Sequence, residues 1–246
     1  MIRLAKVPAI LEEPISLAPG MEGVLARWQP HPGDILTVVD PAGGLYRARF
    51  LGSGQGVRPF AALPGSVEPR HRRRLAQALP DRERMLWVVQ KSVELGVTEI
   101  QPVVSARSCR MSGEDAPRQD KSMTWPRIIR KAAMQCRRAT IPEIHAPVPL
   151  AQIPQTVLSG ELLLFMDVAG QRQSLFALAP DLADTPLTLL VGPEGGWSDQ
   201  ERDLIHASGG LAISLGSRVL RTETAGMAAL AVIAAAEGTF TPGADL

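Results

Sequence analysis

From Leu75 onward, short apolar runs alternate with segments whose apolar residues recur at helical spacing. That alternation predicts repeated strand–helix units. Residues 75–79 read as a strand, and Asp81 is placed to cap a helix that runs to Leu95. In that helix Leu86, Val89 and Val93 share a face, and Gly96 ends it. Residues 100–104 form the next strand. A second helix starts near Thr124 and Pro126 and runs to about Arg138, with Ile128, Ile129, Ala132 and Cys136 inward and its basic residues outward. The runs Leu162–Met166 and Leu187–Val191 are continuously apolar, as expected of strands covered on both faces. Ser198-Asp199-Gln200-Glu201 matches a capping box ahead of another helix. Residues 211–215 read as a strand, and Thr222 as the cap of a final helix through Ala236. The whole predicts an α/β fold with a mainly parallel sheet.

Residues 1 to about 70 follow a different pattern. Prolines and glycines punctuate short runs such as 35–39 and 45–50, and Asp40-Pro41-Ala42-Gly43-Gly44 reads as the hairpin between them. A small β-rich domain over 1–70, followed by an α/β domain over 71–246, is the expected division. Gly52-Ser53-Gly54-Gln55-Gly56 reads as a turn, because Val57-Arg58-Pro59 opens a helix poorly. Residues 110–121, rich in charge and carrying Pro117, read as a mobile loop.

Composition narrows the class. Hydrophobic residues make up 45% of the chain and charged residues 21%, which fits a globular protein with a substantial core. The apolar stretch 225–236 is too short and too rich in alanine to span a bilayer. The N-terminus lacks a basic segment followed by an apolar core, so no membrane and a cytoplasmic location are expected. Cys109 and Cys136 are the only cysteines and cluster with no histidine, so neither a disulfide framework nor a metal site is expected. The net charge is only +1, yet the cations are grouped. Arg70, Arg72, Arg73 and Arg74 form one run, and Arg127, Arg130, Lys131, Arg137 and Arg138 another. Such patches on a near-neutral chain suit a polyanion held by phosphate contacts, against the plainer reading of solvated basic faces.

Two segments carry the candidate chemistry. Leu190-Val191-Gly192-Pro193-Glu194-Gly195-Gly196 and Leu215-Gly216-Ser217-Arg218-Val219-Leu220-Arg221-Thr222-Glu223-Thr224-Ala225 each follow a strand and lead into a helix. At neighbouring strand ends they would form one crevice, where open α/β sheets place a ligand. Pro193 forces Gly192 extended, and Gly195 and Gly196 allow positive φ and close approach to the backbone. The first segment is neither a Walker loop nor a dinucleotide fingerprint. Arg218 and Arg221 sit in a short loop rather than on a solvated helix face. Glu223 at a helix start is also favourable on dipole grounds alone.

The paired segments resemble the signature of the RsmE family, the 16S rRNA uridine-N3 methyltransferases of the SPOUT superfamily. Gln90-Lys91-Ser92-Val93-Glu94-Leu95-Gly96-Val97, Trp125 with Arg127-Ile128, and Gln135 followed by Arg138 and Pro142-Glu143-Ile144 agree with it. The resemblance implies a C-terminal SPOUT domain with a deep trefoil knot, preceded by a small PUA-like β-barrel that binds RNA. It implies S-adenosylmethionine as cofactor, a homodimer, and a target uridine in 16S rRNA of the 30S subunit (position 1498 in conventional numbering). Cofactor contacts would then fall on Leu190, Val191, Gly192, Glu194, Gly195, Gly196, Leu215, Gly216, Leu220, Thr222 and Ala225. RNA contacts would fall on Arg27, Arg72, Arg73, Arg74, Arg127 and Arg138.

Methyl transfer to uracil N3 requires loss of an imide proton, and the developing negative charge calls for a cation. Arg221 or Arg218 would meet that charge, the other holding a phosphate. Glu223 and Glu194 are the nearby carboxylates, and the residues leave the base open between them. A SPOUT methyltransferase acting on another rRNA or tRNA site, and a non-catalytic RNA-binding assembly factor, are the competing readings.

Overall fold

A computed structural model describes residues 1–108 and 124–238. Cys109 and the charged segment at 110–121 lie outside the described residues. The chain divides into two compact units. The described part of the first covers 1–68 and 130–141; that of the second covers 69–108, 124–129 and 142–238.

In the first unit β1 (Ile2–Arg3), β2 (Ile35–Val39), β3 (Leu45–Gly52) and β4 (Gly56–Leu63) form a sheet in sequence order. β1 runs parallel to β2, and the rest is an antiparallel meander. The expected hairpin closes with Val39 opposite Leu45. Its turn is set by Asp40, whose Oδ1 accepts the backbone N–H groups of Ala42 and Gly44, both at 2.8 Å, while Oδ2 accepts from the Tyr46 hydroxyl at 3.0 Å. Helix α1 (Glu22–Trp28) goes beyond the β-rich expectation. It has no side-chain N-cap and buries Trp28, so tertiary packing rather than a local start signal holds it.

The second unit is built on parallel strands. β5 (Arg73–Ala78), β6 (Glu99–Val104), β7 (Glu143–Ile144), β8 (Val148–Pro149), β9 (Leu162–Met166), β10 (Gln173–Ser174), β11 (Leu187–Val191) and β12 (Leu211–Ser214) lie in the order β10-β12-β9-β11-β5-β6-β7, with β8 also on β6. Every pairing is parallel. All five residues of β11 are buried, as its unbroken apolar run requires.

The helices are α2 (Arg82–Glu94), α3 (Trp125–Gln135, which crosses between the units in sequence), α4 (Leu175–Leu182), α5 (Asp199–Ala207) and α6 (Thr222–Ala236). Asp81 caps α2 by accepting the Arg84 N–H at 3.0 Å. The capping box of Ser198 and Glu201 opens α5 as expected. Helix α6 packs against α2, α4 and β11, burying Ala225, Gly226, Ala229, Leu230, Ile233 and Ala234.

Thr222 is not the cap of α6. The N-cap position is Arg221, without a side-chain bond, and Thr222 is the first helical residue. Its hydroxyl donates to the Gly192 carbonyl and accepts from Gln77 Nε2 at 2.9 Å. A tertiary hydrogen bond has displaced the local one.

The run at the start of β5 also corrects an expectation. Arg73 and Arg74 are each 2% exposed. Arg73 pairs with Glu237 and donates to the carbonyls of Leu182, Ala183 and Thr185. Arg74 donates to the Thr156 hydroxyl at 2.6 Å and to Gln101 Oε1 at 3.2 Å. Arg72 grips Glu99 through two hydrogen bonds, at 2.6 and 2.7 Å, and also reaches Glu161. A central strand buries both of its faces, so the guanidinium groups of Arg73 and Arg74 are held by internal oxygens rather than facing RNA phosphates, while Arg72, just ahead of the strand, is partly buried.

Glu99 sits well placed to report this network. The Arg72 hydrogen bonds, opposed by burial and helped by His145, hold its carboxyl below the ordinary value. A depressed carboxyl contributes stability that is present above its unfolded pKa and is lost as pH falls through the folded one. Glu99→Gln is therefore expected to cost about 1–3 kcal/mol near neutral pH. The gap from wild type should shrink as pH drops below about 4.3. Thermal unfolding of both proteins across pH checks this, and a gap that widens in acid contradicts it.

Candidate active site

The turn after β11 is shaped by three close approaches. Trp197, buried, donates its indole N–H to the Met166 carbonyl at 3.0 Å, at the end of β9. A Cβ on Gly192 would stand 3.0 Å from Trp197 Cε2, so the indole lies directly on the backbone there. Arg107 donates to the Gly195 carbonyl at 2.7 Å, and a Cβ on Gly195 would meet Arg107 Cδ at 3.1 Å. Of the glycine pair only Gly196 uses the left-handed region, with φ +67°. Gly195 is required for close approach instead.

The turn after β12 begins with Ser214, whose hydroxyl is bonded to both the N–H and the carbonyl of Gly216. Arg218 and Arg221 are exposed, and Val219 is 79% exposed. Between the two turns lies a cavity of about 630 Å³, within the roughly 300–1,000 Å³ of small-molecule sites.

Val191, Gly192, Glu194, Gly195 and Gly196 line it from the first turn, and Leu215, Gly216, Leu220, Thr222 and Ala225 from the second. Arg218 and Arg221 also line it. Leu190 does not: its side chain is fully buried in the core with Phe165, Trp197 and Ile205. Alternation along β11 turns Leu190 away from the crevice. Glu223 does not line it either; one oxygen is 3.8 Å from Arg84 Nε, and Oε2 is buried without a hydrogen-bond partner.

Arg84 is a cavity residue that the sequence reading does not single out. It pairs with Glu194 and lies 3.2 Å from Asp81. Its hydrogen bond to the Glu194 carboxylate raises the guanidinium above the ordinary value. Asp167 and Arg172, after β9, line the cavity as well. Asp167 is held by Arg202 Nε at 2.8 Å and accepts the Val168 N–H at 2.7 Å. A signal for these was present, because the end of β9 neighbours the end of β11 and ligands sit outside carboxyl ends of strands.

The remaining basic candidates diverge. Arg127 is exposed on α3. Arg27 donates to the Ile141 carbonyl at 3.1 Å. Arg138 is 4% exposed and paired with Glu68, whose other oxygen accepts the N–H groups of Ala139 and Thr140 at 2.7 and 3.0 Å. Its burial corrects the expectation of a phosphate contact. Among the described residues no helix is long and apolar enough to cross a membrane. No group of histidine, cysteine and carboxylate among them could hold a metal ion.

A parallel sheet with two glycine turns enclosing a cavity at its strand ends defines a small-molecule-binding α/β domain, and the comparisons give its class. An RNA methyltransferase domain matches residues 68–234. Ribosomal RNA small subunit methyltransferase E of Synechocystis is 32% identical over 82% of this chain and 66% of its own length. That of Mycobacterium bovis is 31% identical over 82% of this chain and 78% of its own. A crystal structure of the Neisseria gonorrhoeae enzyme of that name, bound to S-adenosyl methionine, is 28% identical with a TM-score of 0.66, covering 96% of this chain and 97% of its own. A putative methyltransferase from Legionella pneumophila, in complex with the same cofactor, is 32% identical with a TM-score of 0.64, over 96% and 98%. The chain belongs to the RNA methyltransferases and, within them, to the ribosomal RNA small subunit methyltransferase E family.

Proposed function

We propose that this chain transfers a methyl group from S-adenosylmethionine to N3 of a uridine in the 16S rRNA of the 30S subunit. The observation that carries the reading is the cavity between the two turns, because its chemistry fits that cofactor. Val191, Leu215 and Leu220 offer apolar surface for an adenosine, and Gly195 and Gly196 offer backbone unobstructed by side chains. Asp167, Glu194 and Arg172 add charge of both signs around the same space, suited to a zwitterionic amino-acid group. When bound, the cofactor supplies an electrophilic methyl group.

The chain's own residues supply orientation and charge. Arg218 and Arg221 stand at the cavity with no ion-pair partner among the described residues, so they can meet the negative charge of a uracil ring or a phosphate. Glu194 lines the cavity and is engaged by Arg84, which Glu223 approaches from outside the lining.

The same reading includes a trefoil knot, a PUA-like first domain over 1–70 ahead of a SPOUT domain over 71–246, a homodimer and a cytoplasmic location. In support of the knot, β11 lies between β9 and β5, β12 lies beyond β9, and α6 returns onto β11 and α2. The four-stranded sheet supports the first domain. Exposed Phe176, in the groove it lines with Leu220, Thr224, Ala228 and Val232, supports a second copy on that side.

Nucleoside mass spectrometry tests the function. Naked 16S rRNA, 30S subunits and tRNA are incubated with pure protein and S-adenosylmethionine. 3-Methyluridine should arise in small-subunit rRNA alone. A methylated nucleoside in tRNA instead, or no cofactor binding by calorimetry, would overturn the assignment.

A further inference from the structure

Arg137 is one of three non-glycine residues with positive φ among the described residues, at 58°. A left-handed backbone is costly to an L residue, whose Cβ crowds the following carbonyl oxygen. Here the conformation is held from within the first unit. The Arg137 carbonyl accepts from the Thr37 hydroxyl at 2.7 Å and from Arg47 Nη1, and its N–H donates to the Met134 carbonyl at 3.1 Å.

Arg47 is itself 7% exposed, donates to Thr37 as well, and leaves its Nε buried without a partner. Burial first, and the Arg137 charge second, push the Arg47 guanidinium below its ordinary value. Two cations are thus kept together, one of them on the strained residue itself. The next residue behaves oppositely, since Arg138 is buried against Glu68. The Arg137 side chain is only partly buried, and among the described residues it has no ion pair.

A glycine at this position would remove both the backbone strain and the like-charge repulsion. Retaining an arginine at that cost points to work done by its guanidinium. Arg138 being paired with Glu68, the segment 130–141 still carries Arg130, Lys131 and Arg137 and no acidic residue, so an anion is the fitting ligand. We propose that Arg137 contacts a backbone phosphate of the RNA substrate, and that Thr37 and Arg47 are positioning residues that fix its main chain. This rests on the reading of the chain as an rRNA methyltransferase.

Arg137→Gly separates the phosphate contact from a structural role. It should unfold at the same temperature as wild type or higher. Its KM for 30S subunits should rise about tenfold with kcat and cofactor affinity held, and the slope of log affinity against log salt should shrink by about one. Arg137→Lys, which keeps the charge, should recover part of the loss. Thr37→Val should raise KM by a smaller factor. Unchanged KM and salt slope in Arg137→Gly, with wild type active on 30S, would overturn this inference alone. A wild-type protein that neither binds nor methylates small-subunit rRNA would overturn it together with the function on which it rests.

Discussion

Arg221→Ala is expected to lower single-turnover methyl transfer by about 100-fold or more while cofactor affinity stays within about threefold. The glycine turns and apolar side chains offer the cofactor its surface, and Arg221 lines the same cavity while exposed to solvent. A cation there does little for a positively charged sulfonium. It does much for a uracil ring that becomes anionic on losing its imide proton, because a preorganised charge needs no reorientation when the new charge appears. Rates under single turnover, with cofactor affinity measured separately by calorimetry, split the two effects. Turnover equal to wild type would remove Arg221 from the chemistry and leave Arg218 to carry it. A selective loss of cofactor affinity would place Arg221 on the donor side instead.

Trp197→Ala should be the most destabilising single change in the second unit, at about 3–5 kcal/mol. The indole is fully enclosed with Phe165, Leu190 and Ile205, lies on Gly192, and donates to Met166. Its removal leaves a void beneath the first turn and a carbonyl without its donor. A fall in Tm of about 10 °C follows from the size of such a unit. Cofactor affinity should fall with it, since the turn loses its inner support. Trp197→Phe should lie between, keeping most of the packing and losing the hydrogen bond. A Trp197→Ala protein within about 1 kcal/mol of wild type in denaturant melts would show that Gly192 and Gly196 hold the turn unaided.

Much of the second unit was legible because its signals are local. Leu187–Val191 and Leu162–Met166 form strands with the bounds their apolar runs indicate. Asp81 and Ser198 cap where a short polar side chain precedes an apolar period. The two turns were legible for the same reason, and the structure brings them to one cavity. Other features rest on partners far along the chain. Arg73 with Glu237 and Arg138 with Glu68 are pairs that no local window contains, so a run of arginines read as a surface patch. Helix α1 starts without a cap, and α4 is short and carries Pro180 inside it, so neither announced itself. Thr222 looked like a cap because only its neighbours in sequence were in view.

The hydroxyl of Thr222, gripped by Gly192 and Gln77, makes the donor pocket a single mechanical part. A shift in either rim drags the other, so neither can drift or be re-engineered in isolation. Swapping one rim for a homologue's version would import half of a latch, and only the matched pair would close.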